Sequence, residues 1–484
     1  MSELTLDQLE PNLVWEIFKE ITQIPRPSKK EGKIRKWVKN WAAKNKLTIK
    51  EDKAGNLLLS KDASPGCKGF PTLILQAHLD MVCEKHPEVK INFEDDPINV
   101  IVEENIVRAD GTTLGADNGI GMAIGLAALV SPDLKHGPLE VLLTVDEETG
   151  LTGAFALEAG FFSGKYLLNI DSEEVGKITI SSAGGGGTDF VFKSKLEHYS
   201  DYKGIKLVVS GLKGGHSGVD IDLPRLNAIK LGIDALLEHQ DIIFLNSMKA
   251  GSAHNAIPRD FECIILVSGK NRKNVLKSMK LWKKKTLNIA RLSEPSLEIV
   301  ITQVDEKQAF DSDTTKNLLN LLLEINHGPL TYSKEIVGLV QTSSNLAVVE
   351  TADNTISVHV STRSSLNEEL KVVREKLAEI GNKFKVKVTQ DEAYPGWKPN
   401  PNSPFLKLVK KIYEEVINDT VELEAIHGGL ECGLFVSLDP KLQVTSIGAN
   451  IHNAHSPDEY LEIESVGIIW DIVTKVIENM KQLK

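Results

Sequence analysis

Three nearly unbroken apolar runs, each ending in acids or a histidine, are what most constrains the fold of this chain. They are P-T-L-I-L-Q-A-H-L-D-M-V (71–82), residues 139–145 leading into D-E-E-T-G, and K-Y-L-L-N-I-D (165–171). Such runs suit strands covered on both faces. Between the first two lies G-I-G-M-A-I-G-L-A-A-L-V (119–130), which reads as a buried helix with Asp117 and Asn118 as N-cap candidates. Residues 12–22 and 31–45 have helical spacing of their apolar side chains. Strands alternating with helices, with polar residues gathered at the strand ends, predict an α/β domain whose site lies at those ends.

The pattern changes after S-A-G-G-G-G-T-D (182–189), which has no lysine and no phosphate-loop spacing and reads as a hinge. From about residue 190 to 395 the chain divides into two α+β halves. The first is strand 205–211, helix 224–238, strands 242–247 and 261–267, helix 271–291 and strand 297–303. The second is helix 313–325, strands 346–350 and 355–361, helix 366–382 and strand 384–390. This order resembles two ferredoxin-like units in tandem, the second lacking a clear first strand. After the turn-rich Y-P-G-W-K-P-N-P-N-S-P (394–404) the α/β character returns, with helix 405–417, strand 442–447 and helix 462–482. The predicted organisation is one α/β domain in two pieces, 1–188 and 396–484, with residues 189–395 inserted between them.

Composition narrows the function. A formal net charge of −11 over 484 residues argues against nucleic acid as a partner, because phosphate binding needs a basic surface. No apolar stretch is long enough to span a bilayer, so no membrane partner is expected. The N-terminus lacks the basic and apolar regions of a signal peptide. Cys67, Cys83, Cys263 and Cys432 are scattered, without a C-x-x-C pair, which predicts free thiols in a cytoplasmic protein.

Five polar clusters close the α/β elements: His78-Leu79-Asp80, Asp117-Asn118, Asp146-Glu147-Glu148, Asp171 and His452/His455. Singly, each has an ordinary explanation: a core histidine, a helix cap, a solvated turn. Together, at corresponding ends of one domain, imidazoles and carboxylates make a cation site. His78 and Asp80 are two apart, so on a strand they point the same way, and Asp80 can orient the imidazole. Glu147 and Glu148 are neighbours whose side chains diverge, so one can hold a metal while the other takes a proton from water. Three adjacent acids at a strand end repel one another, and nearby cations would offset that repulsion.

These segments resemble a known family. H-L-D-M-V, D-G-T-T-L-G-A-D-N-G, D-E-E-T-G-L-T-G-A, N-I-D-S-E-E and A-H-S-P-D-E are similar to the motifs of the two-zinc peptidase and deacylase superfamily, which includes peptidase T and the aminoacylases. G-G-H-S-G-V-D-I, A-H-N-A-I-P-R and H-G-G-L-E-C-G narrow the resemblance to the aminoacyl-histidine dipeptidase family. The matching motifs run from residue 78 to 459.

The resemblance implies a catalytic zinc-peptidase domain, a mixed sheet flanked by helices, and an inserted α+β lid. It implies Asp117 as a carboxylate bridging two metals, with His78 and Asp171 completing one site and Glu148 and His455 the other. The following Ser-Pro-Asp-Glu selects His455 over His452. Glu147 would be the general base and Asp80 the partner of His78. The lid's His216 would stabilise the oxyanion, and Asn255 and Arg363, helped by the Gly428-Gly429 turn, would hold the substrate carboxylate. His427 and Glu431 are read as lining the substrate pocket. Histidine with carboxylate suits Zn²⁺, Mn²⁺ or Co²⁺, with Zn²⁺ the family expectation.

The expected activity is hydrolysis of dipeptides, Xaa-His dipeptides included, by a hydroxide bridging two metals. The expected partner is a small peptide substrate, and a homodimer is kept open as the alternative source of the lid histidine. Two rival readings are an N-acyl amino acid deacylase or tripeptidase, sharing the dimetal core, and a non-catalytic binding protein.

Overall fold

A computed structural model describes residues 4–334, 336 and 338–483. The chain forms two compact units, the first of residues 1–181, 397–425 and 430–484, the second of 182–396 and 426–429. The strand Gly184–Lys193 spans the expected boundary at residue 188 and lies whole in the second unit. The four residues 426–429 also group with the second unit rather than with the last α/β stretch.

The first unit is built on an eight-stranded mixed sheet. At its centre, Leu73–His78 runs parallel to both Leu139–Thr144 and Tyr166–Asn169, and Tyr166–Asn169 runs parallel to Gln443–Ser446. The three apolar runs of the sequence are these strands, and every residue in them is buried. Thr48–Glu51 and Leu57–Lys61 extend the sheet antiparallel beyond Leu139–Thr144. The helix Ala116–Val130 lies against the sheet, where a side chain at Gly121 would strike the Ile170 carbonyl and one at Gly125 would press on Val141. Its glycines are therefore a packing requirement. Asn12–Thr22 packs against this helix, and Pro404–Ile417 packs against Ile463–Asn479.

The second unit carries a nine-stranded sheet. Its first half orders its strands Glu298–Val304, Tyr202–Ser210, Phe261–Ser268, Ile243–Ala250, all neighbours antiparallel. This is the split βαβ arrangement, with helices Ala228–Leu237 and Gly269–Ala290 between strands. The second half orders Val340–Ala352, Thr355–Ser364, Gly184–Lys193, Lys387–Gln390, the same arrangement again. Its first strand is therefore Gly184–Lys193, and the whole first half is inserted between that strand and helix Ser312–Glu324. The pairs Lys249↔Glu350 and Ala250↔Val349 join the two halves into one sheet.

Two expectations are corrected together. The glycine run is not a hinge, and it is the first strand that the second half seemed to lack. Four successive glycines erase the hydrophobic alternation by which a strand is recognised. Their smallness has a spatial reason: side chains at Gly184 and Gly185 would collide with residues 394–396, and one at Gly186 with the Arg374 guanidinium.

Candidate metal centre and substrate face

Because the central parallel strands end in register, with His78 opposite Thr144 and Gln76 opposite Asn169, the residues that close them emerge along one edge. His78 is the last residue of its strand. Asp146, Glu147 and Glu148 follow Leu139–Thr144 in a turn in which Asp146 is left-handed at φ 51°, and Asp171 follows Tyr166–Asn169. His455 comes from the loop between Ile451–His452 and Tyr460–Glu462, itself left-handed at φ 62°.

Asp117 stands at the start of Ala116–Val130, but it is not the cap expected from sequence. Gly115 occupies the N-cap position, and Asp117 and Asn118 have non-helical backbone angles, with a cis peptide between them. The side chains are spent elsewhere. Asp117 Oδ1 lies 3.0 Å from His78 Nε2, and its Oδ2 lies 3.1 Å from His455 Nε2. Asn118 Nδ2 donates to the Ile170 carbonyl at 2.8 Å and to Asp171 Oδ1.

His78 Nε2 is 3.4 Å from Asp171 Oδ1, and His455 Nε2 is 3.0 Å from Glu148 Oε2. Two donor sets result, His78 with Asp117 and Asp171, and Asp117 with Glu148 and His455, the ligand atoms of each lying within 4.8 Å of one another. Asp117 gives one oxygen to each set. Glu147 brings an oxygen within the same reach of His78 and Glu148. His452 stands apart, bonded through Nε2 to Glu462 at 2.7 Å and stacked on Tyr460.

Electrostatics explain what such a cluster wants. Burial pushes the Asp171 carboxyl up to about 6, His78 pulling against it and Asp117 and Glu148 adding to the rise. Burial likewise drives Glu147 well above the carboxylate range, with Asp171, Glu431 and Glu148 as its acidic neighbours. Hydrogen bonds to Asp117 and Glu148 lift His455 to about 11. The buried Glu148 Oε1 has no hydrogen-bond partner. A crowd of carboxylates around two imidazoles, with a buried anionic oxygen left over, fits a pair of divalent cations and suits little else.

Asp80 is fully buried. Its Oδ1 approaches His78 Nδ1 at 3.4 Å, an ion-pair distance without good hydrogen-bond geometry. Its shorter bonds go to Glu147 N at 3.0 Å, to Ser28 Oγ at 2.8 Å and, at 3.3 Å, to Glu148 N. Burial opposes its ionisation, but these donors with His78 hold the carboxyl down at about 2. Asp80 therefore fixes the backbone of the two glutamates at least as firmly as it orients the imidazole. Glu431, read from sequence as lining the substrate pocket, is wholly buried, and its Oε2 accepts from Gln76 and Thr144, each at 2.7 Å.

The remaining candidates belong to the second unit. His216 sits in the two-residue strand Gly215–His216, paired with Ala256–Ile257. Its Nδ1 accepts from the backbone N–H of Gly218 and Val219 at 3.3 and 3.2 Å, so the ring proton resides on Nε2. Burial, with Arg363 nearby, holds its pKa below the ordinary histidine value; the ring is a neutral donor. Asn255 lies in the turn before Ala256–Ile257, and its carbonyl accepts from Ser217 N at 2.8 Å.

Arg363 is 9% exposed, lies opposite both Ser343 and Gly185, and donates through Nη1 to Tyr394 Oη at 3.2 Å. Its buried Nε has no partner. His427 is buried and bonded through Nε2 to Ser343 Oγ at 2.7 Å, while Gly429 lies where a side chain would touch the Tyr394 ring. Burial, then the charge of Arg363, lowers His427 to about 4.

Three residues beyond the sequence candidates belong to these arrangements: Ser343 and Tyr394 in the second unit, and Glu459 in the first, whose carboxylate binds the backbone around Asp117. Only Glu459 had a sequence signal, as the last residue of A-H-S-P-D-E.

Residues 74–479 match the model of the peptidase family M20/M25/M40. The chain is 37% identical, over 487 residues and 99% of each chain, to the cytosol non-specific dipeptidase of Escherichia coli (strain K12). The crystal structure of aminoacylhistidine dipeptidase from Vibrio alginolyticus superposes with a TM-score of 0.90 at 35% identity, covering 98% of both chains. Aminopeptidase PepT from Bacillus cereus ATCC 10987 shares the fold, with a TM-score of 0.64 at 17% identity over 98% of this chain and 99% of its own.

Proposed function

The chain belongs to the peptidase family M20/M25/M40, and on that footing we propose that it is a metallodipeptidase acting on dipeptides, Xaa-His dipeptides among them. The names of the full-length relatives, a cytosol non-specific dipeptidase and an aminoacylhistidine dipeptidase, support the substrate class. The observation that carries the reading is Asp117, with one oxygen in each of two donor sets and Glu147 beside both. His78, Asp117 and Asp171 would hold one cation, and Asp117, Glu148 and His455 the other. Zn²⁺ is the assigned metal, with Mn²⁺ or Co²⁺ also suited to these donors. When bound, such a pair supplies Lewis-acid polarisation of the scissile carbonyl and lowers the pKa of water.

The chain's own residues do the rest. Glu147 takes the proton of the attacking water and returns it to the leaving amine as the C–N bond breaks. Asp80, through its bonds to the Glu147 and Glu148 N–H groups, keeps the two glutamates from exchanging places. His216 donates its Nε2–H to the carbonyl oxygen as charge develops there. Arg363, with Asn255 and the turn at Gly429 and His427, takes the substrate carboxylate. Among the described residues no helix is long and apolar enough to cross a membrane. The name of the relative supports the cytosol as the compartment.

The test is metal content and Xaa-His hydrolysis measured on wild type and Glu147→Ala. The expected result is about two metals on both proteins, with the variant slower by about 10²–10⁴, the range of a general base. Full activity in the variant would refute the base assignment. Two metals without dipeptide cleavage in wild type would favour the deacylase reading.

A further inference from the structure

Arg26 and Glu459 have no part in the hydrolysis as derived so far, yet a guanidinium-bearing and a carboxyl-bearing side chain are both sealed into the first unit, 1% and 2% exposed. All their side-chain bonds run to backbone within three residues of a cation donor or at Asp117 itself. Glu459 Oε2 accepts from Leu114 N and Gly115 N at 2.8 and 3.0 Å, and its Oε1 from Ala116 N at 2.8 Å and Asp117 N at 3.4 Å. Arg26 Nη1 donates to the carbonyls of Leu79 and Asp80 at 3.1 and 2.6 Å, and its Nη2 to the carbonyl of Gly115. Gly115 is left-handed at φ 71°, and a side chain there would strike Arg26.

The connectivity is specific. Arg26 ties the end of the His78 strand to the segment that presents Asp117. Glu459 lies four residues after His455, so one short segment both supplies that donor and grips the Asp117 backbone. A carboxylate placed beside an already crowded set of acids is electrostatically unfavourable. A neutral side chain would avoid that cost if filling space were the only need. Four N–H groups converging on one carboxylate require both anionic oxygens, and a carboxamide cannot accept all four.

We propose that Arg26 and Glu459 are positioning residues that hold the two donor sets in place before any cation arrives, with Asp117 as the point where their grip meets. This rests on the two-cation reading above. In the metal-free protein the carboxylates of the cluster repel, and the clamp is what keeps them together. Binding then involves little rearrangement of the chain, and loosening the clamp weakens both cation sites at once.

Two measurements decide it. The first is amide hydrogen exchange on metal-free wild type. The amides of Leu114, Gly115 and Ala116 are expected to be protected already and to change little on adding Zn²⁺. If they exchange freely until Zn²⁺ is present, the clamp does not preform the site and the proposal fails. The second is calorimetric titration of metal-free wild type, Glu459→Gln and Arg26→Lys with Zn²⁺. The expected loss is about 10- to 100-fold in affinity at both sites, the usual effect of removing a group that holds metal ligands. Variants that melt earlier but bind Zn²⁺ as wild type does would make the pair a mere buttress and overturn the proposal. If wild type itself takes up no pair of metals, the two-cation reading fails, while the exchange experiment on metal-free protein still reports on the clamp. Should neither variant fold, the wild-type exchange result stands as the deciding one.

Discussion

The donor cluster of the first unit and the candidate substrate face of the second are opposites in charge and in support. The first gathers acids around two imidazoles, held by Asp80, Asn118 and Glu459 through bonds to backbone and side chain alike. The second gathers Arg363, His216 and His427 on long strands and short turns, and Arg363 has only long bonds to Tyr394 and the His427 carbonyl, with a buried Nε left over. An over-supported anionic cluster is what fixed cations need. An under-partnered cation beside neutral imidazoles is what a transient anion, such as a substrate carboxylate or an oxyanion, needs.

Breaking this contrast should cost most on the anionic side. Asp117→Ala removes an oxygen from both donor sets. Metal analysis should then find both cations lost and dipeptide hydrolysis reduced to background, beyond the ~10²–10⁴ attributable to a lone general base. Retention of a full metal pair would break the link between the two sets.

On the other side the effects should be smaller and should leave the metals in place. His216→Ala is expected to lower kcat about 10²–10³-fold, the value of one oxyanion donor, with unchanged metal content and little change in melting. Arg363→Ala should raise KM for a dipeptide about 10- to 100-fold, as expected for a lost charged hydrogen bond, and should barely affect a dipeptide amide that lacks the carboxylate. An equal loss on both substrates would deny Arg363 its carboxylate.

The smallest effect is on stability. Burial, then the Lys230 charge, depresses His327 to about 4, and its Nδ1 meets Asn227 Nδ2 at 3.2 Å. The unfolded chain, with an ordinary histidine near 6.5, takes up a proton first as the pH falls. The folded state is therefore most favoured above about pH 6.5 and loses stability as the pH drops towards 4, by at most about 3 kcal/mol from this residue. Denaturant midpoints of the wild type and His327→Asn between pH 7 and 4 should converge at the acid end. Parallel curves would remove His327 as the cause.

Much of the first unit was legible because its strands are buried on both faces and its chemistry stands at their ends. Local pattern alone marked the clusters that contain His78, Asp117, Glu147, Glu148 and Asp171, while the expected roles within them, and the choice of His455 over His452, came from the family motifs. The glycine strand 184–193 was not legible, because a residue without a side chain carries no periodicity, and its strand character comes from pairing with Thr355–Ser364. Arg26 escaped notice for a similar reason. An arginine between two prolines looks like a surface residue, and only the fold brings the Leu79, Asp80 and Gly115 carbonyls around it.

What the sequence determined by itself is the alternation that makes the α/β sheet, and with it the side of that sheet where acids and histidines collect. That follows because strand ends and side-chain direction are local properties. Which oxygen of Asp117 faces which histidine, and which buried carboxylate grips which backbone, were decided only by tertiary structure. Each depends on groups tens to hundreds of residues apart being packed within hydrogen-bond reach, and no local pattern records that distance.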